Sequence, residues 1–173
     1  MKYFNGFCLN NEEKFFKNYI ENSNFHIYGF SYGAIKAFLH AKRMIKEHKR
    51  IDKLILFSPA FFQTKSEKFK QLQLKSFKIK KELYIKNFLK SCFLPYKEQN
   101  VNLTTQDIND LEELLYFIWN ENELNELILK GVSIEVYLGE FDKIIPANDA
   151  FEFFSKITDT TYIKKANHFL LTK

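Results

Sequence analysis

Only two cysteines, three prolines and five glycines occur among these 173 residues. Two thiols, Cys8 and Cys92, are too few for a disulfide framework, so we expect them reduced and the chain cytoplasmic. No group of Cys and His has metal-ligand spacing, and we expect neither a metal nor a cofactor. No apolar run is long enough to span a bilayer. The opening MKYFNGFCLNNEEKFF lacks the apolar centre of a secretory leader. Neither membrane insertion nor export is therefore expected. With glycine so scarce, its placement carries information: two of the five, Gly29 and Gly33, fall within a single pentapeptide.

What is present describes a folded, water-exposed chain. At 46% hydrophobic and 27% charged residues, the composition is that of a globular domain long enough to bury a proper core. The net charge of +5 is uneven. Lys65, Lys68, Lys70, Lys75, Lys78, Lys80, Lys81, Lys86 and Lys90 share one segment with only Glu67 and Glu82 as counter-charges. Such a run is either a solvated helix face or a surface for an acidic partner.

Hydrophobic periodicity predicts a series of alternating elements. Lys2 to Phe4 reads as a short strand ending at Asn5-Gly6. Asn10 with Glu13 resembles a capping box, and Phe15, Phe16, Tyr19 and Ile20 then recur at helical spacing. Phe25 to Tyr28 is a second strand. A helix from Ser31 to about His48 carries Ala34, Ala37, Phe38, Ala41, Met44 and Ile45 on one face. Lys53 to Phe57, Val132 to Leu138 and the TYIKK stretch supply three more strands. Pro146 suits the first turn of a helix with Ala147, Ala150, Phe151 and Phe154 inward. Strands alternating with helices imply a parallel sheet with helices on both faces. Residues 60–130 break the rhythm and read as helices over about 66–94, Thr104 to Trp119 (stripe Ile108, Leu111, Leu115, Ile118) and Glu121 to Lys130. One domain over residues 1–173, with a helical insertion at about 60–130, is the economical expectation.

The pentapeptide Gly29-Phe30-Ser31-Tyr32-Gly33 fits G-x-S-x-G, with a strand before it and a helix after it. A serine at such a turn projects its hydroxyl above the sheet, and flanking glycines remove side chains that would clash. A hydroxyl needs a base, and the base needs an orienting acid. Asp142 follows the fourth strand and His168 the fifth, so both stand at strand C-terminal ends on the same sheet edge as Ser31, where open α/β sheets bind ligands. Asp142 can instead cap the helix near Pro146, and Glu140 and Asp149 are lesser candidates for the acid. His168 can instead be a core or surface histidine. His26, His40 and His48 are not placed to act as the base.

These residues resemble the α/β-hydrolase family over nearly the whole chain, in the order nucleophile, acid, histidine. The resemblance implies a reduced α/β-hydrolase fold: about five mostly parallel strands, flanking helices and a helical lid insertion. It also implies that Asn5-Gly6-Phe7 forms the oxyanion turn, with Phe7 and Tyr32 as backbone donors, although an Asn-Gly pair is also a common hairpin turn. The early strands and final helix usual in the family are expected to be missing or vestigial in these 173 residues. Within the family, the start of the YFxGF kind, GFSYGA at the elbow, the compact size and the helical lid are similar to the short, BioV-like pimeloyl-acyl carrier protein methyl ester esterases of biotin synthesis.

That resemblance implies hydrolysis of the methyl ester of pimeloyl-acyl carrier protein by Ser31, His168 and Asp142, with no cofactor. Lys65, Lys68, Lys70, Lys75, Lys78, Lys80 and Lys81 would dock the acidic carrier. Phe61, Phe62, Phe77, Tyr84, Phe88 and Phe93 would line a tunnel for the acyl chain, or form the lid's own core. A generic carboxylesterase or thioesterase is the alternative. A basic RNA- or partner-binding module is a further one, because lysines interleave with aromatics in KFKQLQLKSFKIKK; neither nucleic acid nor membrane is expected as a partner. The sequence leaves the oligomeric state open.

Overall fold

A computed structural model describes residues 1–105 and 107–173. Its centre is a five-stranded sheet. In chain order the strands of the molecule are β1 (Lys2–Phe4), β2 (Leu9–Asn10), β3 (His26–Phe30), β4 (Lys53–Phe57), β5 (Asn102–Leu103), β6 (Ser133–Gly139) and β7 (Asp159–Ile163). The sheet order is β1-β3-β4-β6-β7, and every neighbouring pair is parallel. The remaining two strands form a separate antiparallel pair, β2 with β5. The helices are α1 (Tyr32–Lys46), α2 (Glu67–Ile79), α3 (Lys81–Phe93), α4 (Ile108–Tyr116), α5 (Glu121–Leu129) and α6 (Ala147–Phe154). No helix among the described residues is long and apolar enough to cross a membrane.

Side chains alternate across each strand, so the two sheet faces have different residues. Ile27, Leu54, Leu56, Ile134, Val136 and Leu138 face a core shared with α1, α5 and α6. Ala34, Ala37, Phe38 and Ala41 of α1 are fully buried there, as the stripe predicts. Tyr28, Phe30, Ile55 and Phe57 face the other way. Helices were expected on both faces, but this second face has little helix over it. A 3-10 turn at Glu12–Phe16, the end of α3 and residues 169–171 cover it. Phe16 lies flat on Phe57, with ring centroids 4.4 Å apart and planes 2° from parallel. Phe169 stacks on Phe30 at 5.0 Å and meets Phe93 at 4.5 Å.

Several local expectations shift. Asn10 lies in β2 and caps nothing; Asn11, at φ 63°, opens the 3-10 turn instead. The long helix over 66–94 is two helices that break at Lys80, whose φ of −144° is extended. The helix expected from Thr104 crosses Gln106, which lies outside the described residues. Here α4 starts after Asp107, whose carboxylate accepts the Asn109 and Asp110 N–H groups. It stops at Tyr116 because Phe117 turns extended, which drops the Trp119 indole into the core, where its N–H donates to Ala60 O at 2.9 Å. Ile118, expected in the buried stripe, is left exposed, and Leu114 is buried in its place. In α6, Phe151 points outward, against expectation, and packs on Tyr162 at 5.2 Å. The last strand lies two residues earlier than TYIKK because Asp159 pairs with Glu135 of β6.

Gly33 sets how closely α1 crosses β1. A Cβ there would stand 2.0 Å from Phe4 O and 2.5 Å from Asn5 O, both backbone atoms that cannot yield. Gly33→Ala is therefore expected to destabilise the fold by on the order of 2–4 kcal/mol, read as a lower urea midpoint with unchanged slope.

Candidate active site

Ser31 sits where β3 hands over to α1, at φ 53°, in the left-handed region that a non-glycine residue adopts only under constraint. The constraint is visible. Its N–H donates to Phe57 O at 2.9 Å, and its C=O accepts from Ala34 and Ala60 N–H at 3.1 and 3.0 Å. Gly29 allows the turn, since a Cβ there would meet Gly33 O at 2.4 Å. The hydroxyl is thus presented at the C-terminal edge of the sheet.

Asp142 and His168 converge on the same edge, from the turns after β6 and β7. Ser31 Oγ lies 3.1 Å from His168 Nε2, and His168 Nδ1 lies 2.6 Å from Asp142 Oδ2. The carboxylate facing Nδ1 places the ring proton there, which leaves Nε2 to accept from the serine hydroxyl. All three residues are buried, and His168 has no exposed surface. The capping alternative for Asp142 is also realised, on its other oxygen: Oδ1 accepts the N–H groups of Ile144 and Ile145 at 2.7 and 3.1 Å. One carboxylate holds the turn with one oxygen and the histidine with the other. Glu140 instead accepts from Lys165 N–H at 2.7 Å, and Asp149 from Thr64 Oγ1 at 2.7 Å.

Two residues that carried no motif fix the histidine. Ser58, buried after β4, donates to His168 O at 2.8 Å. Asn167 is fully buried; its amide N donates to Phe93 O at 2.9 Å, and its Oδ1 accepts from Phe169 and Leu171 N–H. The end of α3 is thereby tied to the histidine turn. No sequence signal pointed to Asn167, because its burial and its partner Phe93, remote in the chain, are set by the tertiary fold.

Phe7 lies in the turn Gly6–Leu9, closed by Leu9 N–H on Gly6 O at 3.2 Å. Its ring meets that of Tyr32 edge-on at 6.5 Å, so the two expected oxyanion residues are neighbours. Tyr32 opens α1, where a first-turn N–H has no acceptor within the helix. The hairpin alternative for Asn5-Gly6 does not occur: β1 pairs in parallel with β3, and the chain beyond Gly6 pairs with β5. The Tyr32 hydroxyl reaches Glu113 Oε2 at 2.6 Å and Asp110 Oδ1 at 3.1 Å, both on α4. Burial and these carboxylates push its ionisation far above the usual tyrosine range. Cys8 is fully buried in the same turn; burial pushes its thiol up to about 12, so it stays protonated.

A cavity of about 780 Å³ opens from Ser31, between the sheet edge and the helical block. Phe7, Phe62, Phe69, Tyr84 and Phe88 give it an aromatic wall, and Leu111, Leu115 and Ile145 an aliphatic one. Of the six aromatics expected in a tunnel, Phe62, Tyr84 and Phe88 line this cavity. Phe61 and Phe77 belong to the main core and Phe93 to the second one. Lys65 and Lys80 border the cavity, whereas Lys75 and Lys78 line a separate groove beside Glu112. Lys68 and Lys81 are exposed, and the Lys81 ammonium lies 5.3 Å from the Phe77 ring centre. Lys70 departs from its expected docking role. It is 9% exposed, with its ammonium 4.9 Å from the centre of the Tyr116 ring, because α2 packs that face on α4.

No family model matches the sequence, and no curated protein matches it. Solved structures do match the architecture. An esterase from Exiguobacterium antarcticum has a TM-score of 0.57 at 12% identity, covering 96% of this chain and 84% of that one. Naproxen esterase (carboxylesterase NP) from Bacillus subtilis gives 0.51 at 19% identity, covering 91% and 57%. ClbQ from the colibactin NRPS/PKS pathway gives 0.52 at 14% identity, covering 89% and 64%. The fold is that of the α/β-hydrolases, in a small and reduced form. This chain spans little more than half the length of the naproxen esterase it matches.

Asn167→Ala would leave the Phe93 carbonyl, the buried Phe169 N–H and the half-buried Leu171 N–H without this partner, and is expected to cost on the order of 2–4 kcal/mol in chemical denaturation. Glu12, buried in the 3-10 turn, has its carboxyl pushed up to about 7 from an ordinary 4.5, chiefly by burial. A raised folded-state pKa binds the proton more tightly than the unfolded chain does. Stability is therefore expected to fall as pH rises from about 4.5 through about 7 and then level off. Glu12→Gln should flatten that part of a pH series of thermal midpoints.

Proposed function

We propose that this chain is a serine carboxylesterase that hydrolyses the methyl ester of pimeloyl-acyl carrier protein to pimeloyl-acyl carrier protein and methanol. The observation that carries the hydrolase assignment is the hydrogen-bonded series Ser31 Oγ, His168 Nε2, His168 Nδ1 and Asp142 Oδ2 at the mouth of the cavity. Ser31 Oγ attacks the ester carbonyl as His168 Nε2 takes its proton. Asp142 holds the ring and stabilises the imidazolium. The Phe7 and Tyr32 N–H groups receive the oxyanion, commonly the largest single contribution in acyl transfer. Methoxide leaves as methanol with the proton from His168. Water, deprotonated by the same nitrogen, then cleaves the acyl-enzyme and restores the serine.

The substrate assignment draws on the resemblance to the short carrier-protein esterases, and two features support it. The cavity wall is aromatic and aliphatic, suited to a methylene chain. Lys65 and Lys80 stand at its border, with Lys68, Lys75, Lys78 and Lys81 on the same two-helix block, so an acidic carrier would meet positive charge where its acyl arm enters. Lys70 is left out of this surface because it is buried against Tyr116.

Mass spectrometry of the carrier-bound methyl ester tests both levels. Ser31→Ala should lose at least about a thousandfold in kcat while keeping its thermal midpoint. Reversing Lys65, Lys68, Lys75 and Lys80 to Glu should lower kcat/KM on the carrier substrate about tenfold or more and leave p-nitrophenyl acetate hydrolysis unchanged. Wild-type turnover of the aryl ester alone would keep the esterase and remove the carrier substrate. Full activity in Ser31→Ala would remove both.

A further inference from the structure

A buried acid with no part in the mechanism above reaches back to the turn that carries Phe7. Glu12 has no exposed surface, and its Oε1 accepts the Gly6 N–H at 2.7 Å. Its Oε2 and the Tyr3 hydroxyl oxygen are both buried and act on each other, with no further partner among the described residues. A carboxyl buried this deeply is costly, so its presence beside this turn asks for a reason.

Peptide geometry supplies one. Phe7 N–H and Gly6 C=O belong to the same planar peptide unit, so the Leu9 N–H bond to Gly6 O holds the plane that aims Phe7 N–H. The preceding plane ends in Gly6 N–H, which Glu12 holds. Between them lies Gly6, the most conformationally free residue type. It cannot be exchanged for a stiffer one, because a Cβ would stand 2.8 Å from the Phe30 ring. Pinning both flanking planes is therefore how this turn fixes a glycine. The far side of the turn is tied separately, by Thr104 N–H on Cys8 O at 3.0 Å and by β2 on β5.

We propose that Glu12 is the positioning residue of the oxyanion turn: by accepting the Gly6 N–H, its carboxyl locks the peptide plane before Gly6 and thereby the direction of the Phe7 N–H. This rests on the serine-esterase assignment. Either protonation state can accept from Gly6 N–H. Only the ionised one opposes the oxyanion, since like charges in a dry site repel strongly. The titratable groups acting on Glu12 are Tyr3, from β1, and Glu13 beside it. Burial dominates and pushes the carboxyl up to about 7, while the Gly6 N–H pulls it down. The Tyr3 phenol, raised by the same burial and by Glu12, stays protonated. Loss of the Glu12 proton near neutrality should therefore weaken turnover without altering ground-state binding.

The test uses p-nitrophenyl butyrate with the whole chain. Glu12→Gln, which keeps the acceptor and cannot ionise, should match wild type within about twofold at pH 6, and the ratio of wild-type to Glu12→Gln kcat should fall severalfold by pH 9 with a midpoint near 7 and an unchanged KM; the ratio removes the pH dependence of the catalytic base, which both share. Glu12→Ala, which frees the plane, should lose about tenfold in kcat at pH 6 with KM unchanged. A pH-independent ratio, or wild-type kcat in Glu12→Ala, would each overturn the proposal. Where one variant does not fold, judged by thermal melting, the other decides. Fluorophosphonate labelling of wild type but not of Ser31→Ala reports the serine assignment alone. Labelling with unaltered kcat in the Glu12 variants removes only the role of Glu12.

Discussion

Every part of the site depends on a single backbone conformation, the left-handed Ser31 at φ 53°. An L residue does not hold this geometry for its own sake; the surroundings must over-determine it. Here Phe57 O takes the Ser31 N–H, while Ser31 O is shared by Ala34 and Ala60. Gly29 and Gly33 let β3, α1 and β1 approach to distances no side chain would allow. If that crossing opened, the hydroxyl would leave His168 Nε2 and the Tyr32 N–H would leave the position proposed to receive an oxyanion. The geometry of the proposed site and fold stability therefore lie in the same few contacts, and neither can be tuned alone.

The reduced size of the fold is met by a change of material on one face of the sheet. The α1 side is packed conventionally, with alanines letting the helix approach. The opposite side uses aromatic rings in place of much of the helix cover: Phe15, Phe16, Tyr19, Phe93 and Phe169 pack over Phe30, Phe57 and Tyr137. Each ring buries a large area for few residues, and stacked and edge-on pairs add to that burial. Phe15, Phe16 and Phe169, three of the twenty phenylalanines in the chain, are the physical means by which short irregular segments seal this face.

Among the contacts that bind the helical block to the rest of the molecule, three lie beside the candidate site. Tyr32 reaches Asp110 and Glu113 of α4. Asn167 holds the end of α3. The β5 strand pairs with β2 beside the Phe7 turn. Each attachment touches a residue adjacent in sequence to a member of the site: Tyr32 follows the serine, Asn167 precedes the histidine, and Cys8 follows Phe7. A ligand that displaced these helices would also act on the nucleophile turn, the histidine turn and the Phe7 turn, through defined hydrogen bonds.

The sequence by itself determined the local and periodic features. Strand alternation, the α1 stripe, the third strand from Lys53 to Phe57 and the serine turn follow from nearest-neighbour chemistry, and their order along the chain implies which sheet edge carries Ser31, Asp142 and His168. Only the tertiary structure decided what depends on contacts between distant positions. The break at Lys80, the early stop of α4 and the outward turn of Phe151 are set by what packs beside them. Lys70 belongs to the same lysine run as its neighbours, but the α2–α4 contact buries it, which no spacing rule could reveal. Ser58, Asn167 and Glu12 carry no motif either; each matters because the backbone group it holds lies beside the site in space. Residue type limits what chemistry is available, and burial decides which polar groups must find one another, because a polar atom hidden from water without a partner is the costliest thing a fold can contain.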